Sequence, residues 1–335
     1  MSEPTAQAGG RRARFTLRRV ASGDRTFPED IRAGLTAVPK SIPPRYFYDD
    51  LGSALFEAIC NLPEYYPTRT ESELLRRSSR EIITSAGDVR RIVELGSGAA
   101  HKTRFLLDEL SRAERELEYV PVDIDPHILE KSGRELLTDY PRLRVNAVFA
   151  DFTRPAQALA DSLGEGRTLV IFLGSTVGNF HPPEAAVMMR GLRGLLRPGD
   201  GFLLGVDLKK SKEILDAAYN DALGVTAAFN LNLLQRINRE LGANFDLSAF
   251  AHRAHYDVAR GRIEMHLASL REQSVLIGAL ELDIAFGEGE MIHTENSYKY
   301  DESDLLRLAS DSGFEIVGQW IDSRRWFADV LMRVR

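Results

Sequence analysis

Short apolar runs separated by amphipathic stretches fill the middle of the chain. Residues 91–95 (RIVEL), 119–124 (YVPVDI), 145–150, 168–173 (TLVIFL) and 201–206 (GFLLGV) are rich in branched and aromatic residues and have the length of strands. Between them, residues 102–110, 126–137, 155–163 and 183–196 repeat apolar positions at helical spacing. The run 168–173 is apolar almost throughout, as a central strand buried on both faces must be. Upstream, 51–59 predicts a short amphipathic helix. Residues 70–85 predict a longer one, with Thr70 as N-cap and Glu71 and Glu73 in the first turn. Five strands alternating with helices define an α/β chain with a doubly wound parallel sheet.

The rhythm breaks after Asp207. Two helical stretches, 212–223 and 227–241, precede strictly alternating runs at Ile263-Met265-Leu267, at Leu280-Leu282-Ile284-Phe286 and over 294–300. Alternation predicts half-buried antiparallel strands. Arg260-Gly261 predicts the turn of a hairpin with 252–259. The α/β pattern resumes with a helix over 302–312. Strands over 314–320 and 326–333 follow, joined by the short loop 321–325, which demands an antiparallel pair. A parallel sheet closed by such a hairpin resembles the class I, SAM-dependent methyltransferase fold, a Rossmann-like architecture. Residues 210–299 then read as an α+β insertion.

Composition narrows the function. The 335 residues carry 43 basic and 49 acidic side chains, and five arginines stand against one glutamate before residue 20. The body is therefore more acidic than the whole, which argues against a nucleic-acid groove. The basic head lacks the apolar stretch of a secretory signal and faintly resembles an organellar transit sequence. The preferred reading of 1–27 is a flexible tail. One cysteine, Cys60, excludes a disulfide framework and favours a reducing, cytoplasmic setting. No apolar run is long enough for a membrane span. His101, His127 and His181 lack metal-ligand spacing, so no metal is expected.

The first strand ends in Glu94-Leu95-Gly96-Ser97-Gly98, a turn where Gly96 and Gly98 let a ligand approach the backbone. NAD would suit such a turn, but the third glycine of its fingerprint is replaced by His101. SAM fits better. Glu94 is placed to accept from the methionine amino group, Lys102 to meet its carboxylate, and Asp123 to take the ribose hydroxyls. Asp151 is placed to accept from the adenine amino group, with Phe152 covering the ring. Asp125 reads instead as the cap of the helix that begins at Pro126.

Four separated stretches complete the picture: YFYDDLGS over 46–53, LPEYYPTRTE over 62–71, GSTVGNF over 174–180 and TENS over 294–297. Together they resemble the histidine-specific, SAM-dependent methyltransferases from about residue 28 to the C-terminus. The resemblance implies Nα-methylation of free L-histidine by three SAM, giving hercynine on the route to ergothioneine. It implies that Tyr48 and Asn179 hold the α-amine and are the catalytic pair. Tyr65 and Tyr219 would hold the carboxylate, Glu295 and Ser297 the imidazole, and Met265 would border the substrate. The strand period supports the imidazole pair, since 295 and 297 share a face. An ionised Glu accepts and a Ser can donate, matching the donor and acceptor nitrogens of a neutral ring. The alternative is a solvated edge with Glu295, Ser297 and Lys299 facing water. Rival functions are N-methylation of another amino acid, such as a tryptophan derivative, or SAM binding without turnover. The expected organisation is a substrate-binding domain of 28–69 with 210–299, and a SAM domain of 70–209 with 300–335, working as a monomer on a small molecule.

Overall fold

The computed structural model describes residues 14–20, 25–159 and 162–334. Eight strands form one large sheet: β1 (Phe15–Arg19), β3 (Val89–Leu95), β4 (Leu117–Asp123), β5 (Leu143–Phe149), β6 (Arg167–Phe172), β7 (Gly201–Asp207), β13 (Phe314–Ile321) and β14 (Phe327–Val334). Their order is β1-β5-β4-β3-β6-β7-β14-β13. The strands from β1 to β7 are mutually parallel, while β14 runs antiparallel to both β7 and β13. This is the class I methyltransferase topology with its terminal hairpin. Order reverses beside β3 and β6, so the ligand crevice lies at their C-terminal ends.

Six helices cover the sheet. Leucines and isoleucines of α3 (Pro67–Ala86), α4 (Thr103–Ser111) and α5 (Pro126–Asp139) pack one face. The other is packed by α6 (Pro155–Leu159), α7 (Pro182–Arg193) and α10 (Glu302–Ser312). A separate core joins α1 (Phe27–Thr36), α2 (Asp50–Cys60), α8 (Lys212–Tyr219) and α9 (Val225–Leu241) to a second sheet. That sheet is ordered β2 (Lys40–Ser41), β12 (Met291–Tyr298), β9 (Arg262–Ser269), β8 (Phe250–Asp257). A small pair, β10 (Gln273–Ile277) and β11 (Leu282–Phe286), lies beside it. The early residues and the late insertion thus share one core, stapled where β2 pairs with β12.

Two expectations need correction. Residues 15–19 are not a loose tail: Phe15 to Arg19 pair in register with Val145 to Phe149 as the edge strand. Arg14 locks this edge by donating to the carbonyls of Leu137, Tyr140 and Leu143. The end of the expected tail is ordered too: Thr26 caps α1, and Phe27 opens it and packs on the second core. Residues 1–13 and 21–24 of that tail lie outside the described residues, as do residues 160–161 of the helix expected over 155–163. Helix α3 starts three residues before Thr70, because Pro67 is preorganised for a first turn. Thr70 is buried inside the helix and accepts from Arg324.

Candidate active site

The cofactor side is built from backbone turns. Gly96 and Gly98 have φ of +67° and +48°. A Cβ on Gly98 would meet nothing within 4 Å, so the turn opens onto a crevice; one on Gly96 would press the Phe152 ring at 3.2 Å. Asp123, ending β4, accepts from Gly98 N (2.8 Å) and Asp125 N (3.0 Å), which fixes the carboxylate beside the turn. Burial raises its pKa despite those donors. Asp125 caps α5, accepting from His127 N at 2.8 Å and Ile128 N at 3.2 Å. Asp151 accepts from Thr153 N (2.8 Å) and from Arg45 (3.0 Å). The Phe152 ring packs edge-on to Phe172 at 5.6 Å. An open approach, an aromatic wall and two braced carboxylates suit an adenosine with its ribose, so these residues fit SAM.

Two side chains there are held by protein groups. Glu94 Oε2 accepts from Thr103 Oγ1 (2.5 Å) and from Tyr119, and burial pushes its pKa up to about 7. Lys102 pairs with Glu71, whose carboxylate also accepts from Gly174 N at 2.9 Å. Burial would lower the Lys102 pKa, but Glu71 reverses this and raises it. Glu71 is therefore no solvated first-turn acid. It ties the start of α4 to the loop after β6, both at the crevice.

The seven residues expected to hold substrate come together. Tyr48, Tyr65, Asn179, Tyr219, Met265, Glu295 and Ser297 line one cavity, which the loop 174–176 borders on the crevice side. Tyr48 follows the 3-10 turn Pro44–Phe47, and its ring stands edge-on to Phe56 (5.7 Å) and Phe229 (6.0 Å). Tyr65 and Tyr219 meet edge-on at 6.1 Å. A bulge in β12 between His293 and Glu295 resets the register, so that Glu295 faces Met265 across the strands. Glu295, Ser297 and Lys299 are all buried, which overturns the solvated-edge alternative. Asn296 points the other way, its Oδ1 at 3.0 Å from His293 Nε2.

Burial dominates the electrostatics. It raises the Glu295 pKa to about 7, against the lowering pull of Lys299. It raises Tyr48 well above the usual phenol range, with the Glu295 charge adding to the effect, and Tyr65 likewise, with Tyr219 next. A charged network also lines the cavity. The Lys299 ammonium donates to Asp207 Oδ2 (2.8 Å), Ser297 Oγ (2.9 Å) and the Tyr219 hydroxyl (3.1 Å). The Tyr219 hydroxyl donates to Ser297 Oγ at 2.8 Å. Asp207 also accepts from Tyr66 and Lys210. Burial opposes the Asp207 charge, but Lys299 and Lys210 outweigh it and hold the pKa low. Burial brings Lys210 down to about 8.

Tyr66 is a core aromatic whose hydroxyl is satisfied by donating to Asp207. Sequence reasoning missed Lys299 and Asp207. The strand period contained the signal for Lys299, two residues beyond Ser297 on the same face. Nothing local marked Asp207, or Arg45, which bridges Asp30 and Asp151 across the two cores. Among the described residues, no group of three or more His, Cys, Asp and Glu side chains is arranged to hold a metal, and no helix is long and apolar enough to cross a membrane.

Comparison with known proteins places these features. The chain is similar to a histidine N-alpha-methyltransferase of Mycolicibacterium smegmatis, 46% identical over 293 residues, covering 88% of this chain and 90% of that protein. It is similar to a histidine N-alpha-methyltransferase of Mycobacterium tuberculosis, 42% identical over 301 residues, covering 90% and 92%. A 4-dimethylallyltryptophan N-methyltransferase of Claviceps purpurea is 27% identical over 310 residues, covering 87% and 90%. A family model described as histidine-specific, SAM-dependent methyltransferase matches residues 27–334, so the chain belongs to that family.

Proposed function

We propose that this protein transfers methyl groups from SAM to the α-amine of free L-histidine, three times in succession, giving hercynine for ergothioneine biosynthesis. The observation that carries the reading is the single cavity that unites an acceptor, Glu295, and a hydroxyl, Ser297, with three tyrosines and Asn179. Such a polar end fits an imidazole and leaves an aliphatic side chain without partners for buried polar groups. Tyr48 and Asn179 hold the amine. Tyr65 and Tyr219 take the carboxylate, and Met265 closes the wall beside the ring. On the cofactor side Gly96, Gly98, Asp123, Asp151 and Phe152 hold the nucleoside, while Glu94 and Lys102 stand by the amino-acid end.

SAM supplies a methyl on a sulfonium that departs as a neutral thioether, so the transfer needs neither a metal nor strong acid catalysis. The protein's work is to align a neutral amine with that methyl. A free α-amine is largely protonated at neutral pH, so one proton leaves before each transfer. The raised Tyr48 pKa keeps its phenol neutral, which suits orientation of the lone pair and relay of the proton rather than action as a phenolate base. The same cavity must hold amines with zero, one and two methyl groups. Partly methylated intermediates are expected to leave more slowly than the next transfer occurs. The reading includes two bodies, 28–69 with 210–299 and 70–209 with 300–335, closing as a monomer in the cytoplasm. Neither nucleic acid nor membrane takes part.

Mass spectrometry of histidine incubated with the protein and SAM tests this. The expected product carries three methyl groups on the α-nitrogen. Absence of any mass gain overturns the reading, and accumulation of mono- and dimethylhistidine at low turnover overturns the ordered release.

A further inference from the structure

We infer that Lys299 is a positioning residue that fixes the polarity of the ring-binding pocket, making it accept a neutral imidazole and reject its protonated form. The inference rests on the reading of the cavity as a histidine site. It begins from the valence of the groups. An ammonium has three donors and no lone pair. At Lys299 all three are committed, to Asp207, Ser297 and Tyr219. Ser297 Oγ must therefore accept from Lys299. It also receives the Tyr219 proton at 2.8 Å, so both of its lone pairs are taken and its own proton is left to point elsewhere. Ser297 lines the cavity, and the proton has that space to enter.

The consequence is chemical selection. Glu295 on the same strand face accepts one ring N–H. The second ring nitrogen meets the Ser297 proton and must offer a lone pair. A neutral imidazole has this pattern and an imidazolium does not, since both its nitrogens donate. When a substrate carboxylate draws the Tyr219 proton away, Lys299 alone keeps Ser297 a donor. Asp207 makes this possible: it is fully buried and anchored from the far side by Tyr66 and Lys210, so Lys299 keeps its charge and its position. The other titratable groups facing the pocket are Glu295, Tyr48 and Tyr65. Both tyrosines stay neutral, so near neutral pH the groups that exchange protons here are Glu295, the ligand ring and, on the far side of Asp207, Lys210, which burial brings down to about 8.

The test is the pH dependence of histidine binding, measured by calorimetry with S-adenosylhomocysteine present, at pH 5.5 and pH 8. For the wild type the Kd is expected to rise at least about tenfold on going to the lower pH, because the ring must lose its proton to bind. In Lys299→Met, Ser297 is released to accept, so an imidazolium can donate one N–H to it and the other to a Glu295 oxygen, and the ratio is expected to fall below about threefold. Because Lys299→Met strands Asp207, the double variant Asp207→Asn with Lys299→Met is measured alongside. A flattened ratio in that folded double variant supports the inference. A purely structural role would weaken binding equally at both pH values, so an unchanged ratio in the variants overturns it. So does a wild-type Kd that does not rise at pH 5.5. Trimethylation by the wild type at pH 8 together with an unchanged ratio sinks only this inference, whereas failure of the wild type to methylate histidine sinks the functional reading and this inference with it.

Discussion

The two halves of the site are built by opposite means. The proposed cofactor side is a single strand-to-helix turn and the ends of neighbouring strands, with backbone amides aiming Asp123 and Asp151. On the substrate side, almost every contact is a side chain, drawn from residues as far apart as Tyr48 and Ser297 and held by packing. A turn tolerates change at its partners but not in its own backbone. A cavity assembled from side chains keeps its shape when one is changed but loses the specific bond.

Four experiments press on that contrast. The largest effect is expected from Glu295→Ala, which strips the ring acceptor. Histidine kcat/KM should fall by about 100-fold or more, with SAM affinity little changed. If histidine binding survives intact, the division of labour is wrong. Next, Glu295→Gln separates function from stability. The Glu295 pKa rises from 4.5 unfolded to about 7 folded, so folding favours its protonated form. Its stabilising contribution is complete below pH 4.5 and is lost as pH climbs toward 7. Above that, the ionised group costs up to about 3 kcal/mol. The Gln variant should therefore be the more stable protein at pH 8 in denaturant titrations, with the advantage vanishing below pH 4.5. A variant destabilised at pH 8 would show that the carboxylate is not held against its preference.

Gly98→Ala tests the turn. The added methyl meets open crevice but forces a side chain onto a left-handed φ, at about 1 kcal/mol. SAM affinity should drop by roughly tenfold, while histidine discrimination among amino acids stays as it was. The smallest effect on activity is expected from removing residues 1–20. This exposes the β5 edge and strips the partly buried Phe15 and Leu17, lowering stability by about 1–3 kcal/mol. Turnover by the folded protein should be unchanged. A lost kcat would mean that the edge strand reaches the crevice.

How much of this was readable follows the same divide. The parallel sheet announced itself because strands such as Thr168 to Leu173 are apolar on both faces, and the late hairpin because its loop is too short for anything else. The glycine turn was legible because its chemistry is contiguous. The substrate side was not legible from periodicity alone. Glu295 and Ser297 look like an exposed strand face until β9 and α8 are laid against them, and only the resemblance over four separated stretches brought them forward. Lys299 shares the strand face of Ser297, but its partner Asp207 stayed hidden because a buried ion pair is a tertiary event that nothing near Asp207 in sequence marks. Phe15 to Arg19 misled because an arginine-rich edge strand has the composition of a solvated tail, and its partner lies about 130 residues away.

The position of β14 has a consequence for how the molecule is made. This strand leaves the ribosome long after β7, yet it pairs along the full length of β7. Until residues 327–334 emerge, β7 presents a bare apolar edge, even though β3, β4, β5 and β6 can already associate. The insertion, by contrast, has all its strands in hand by residue 298. During synthesis the second core can therefore close first, and the large sheet must wait for β14. A nascent chain stalled shortly before residue 327 should be captured by chaperones through the uncovered β7 edge.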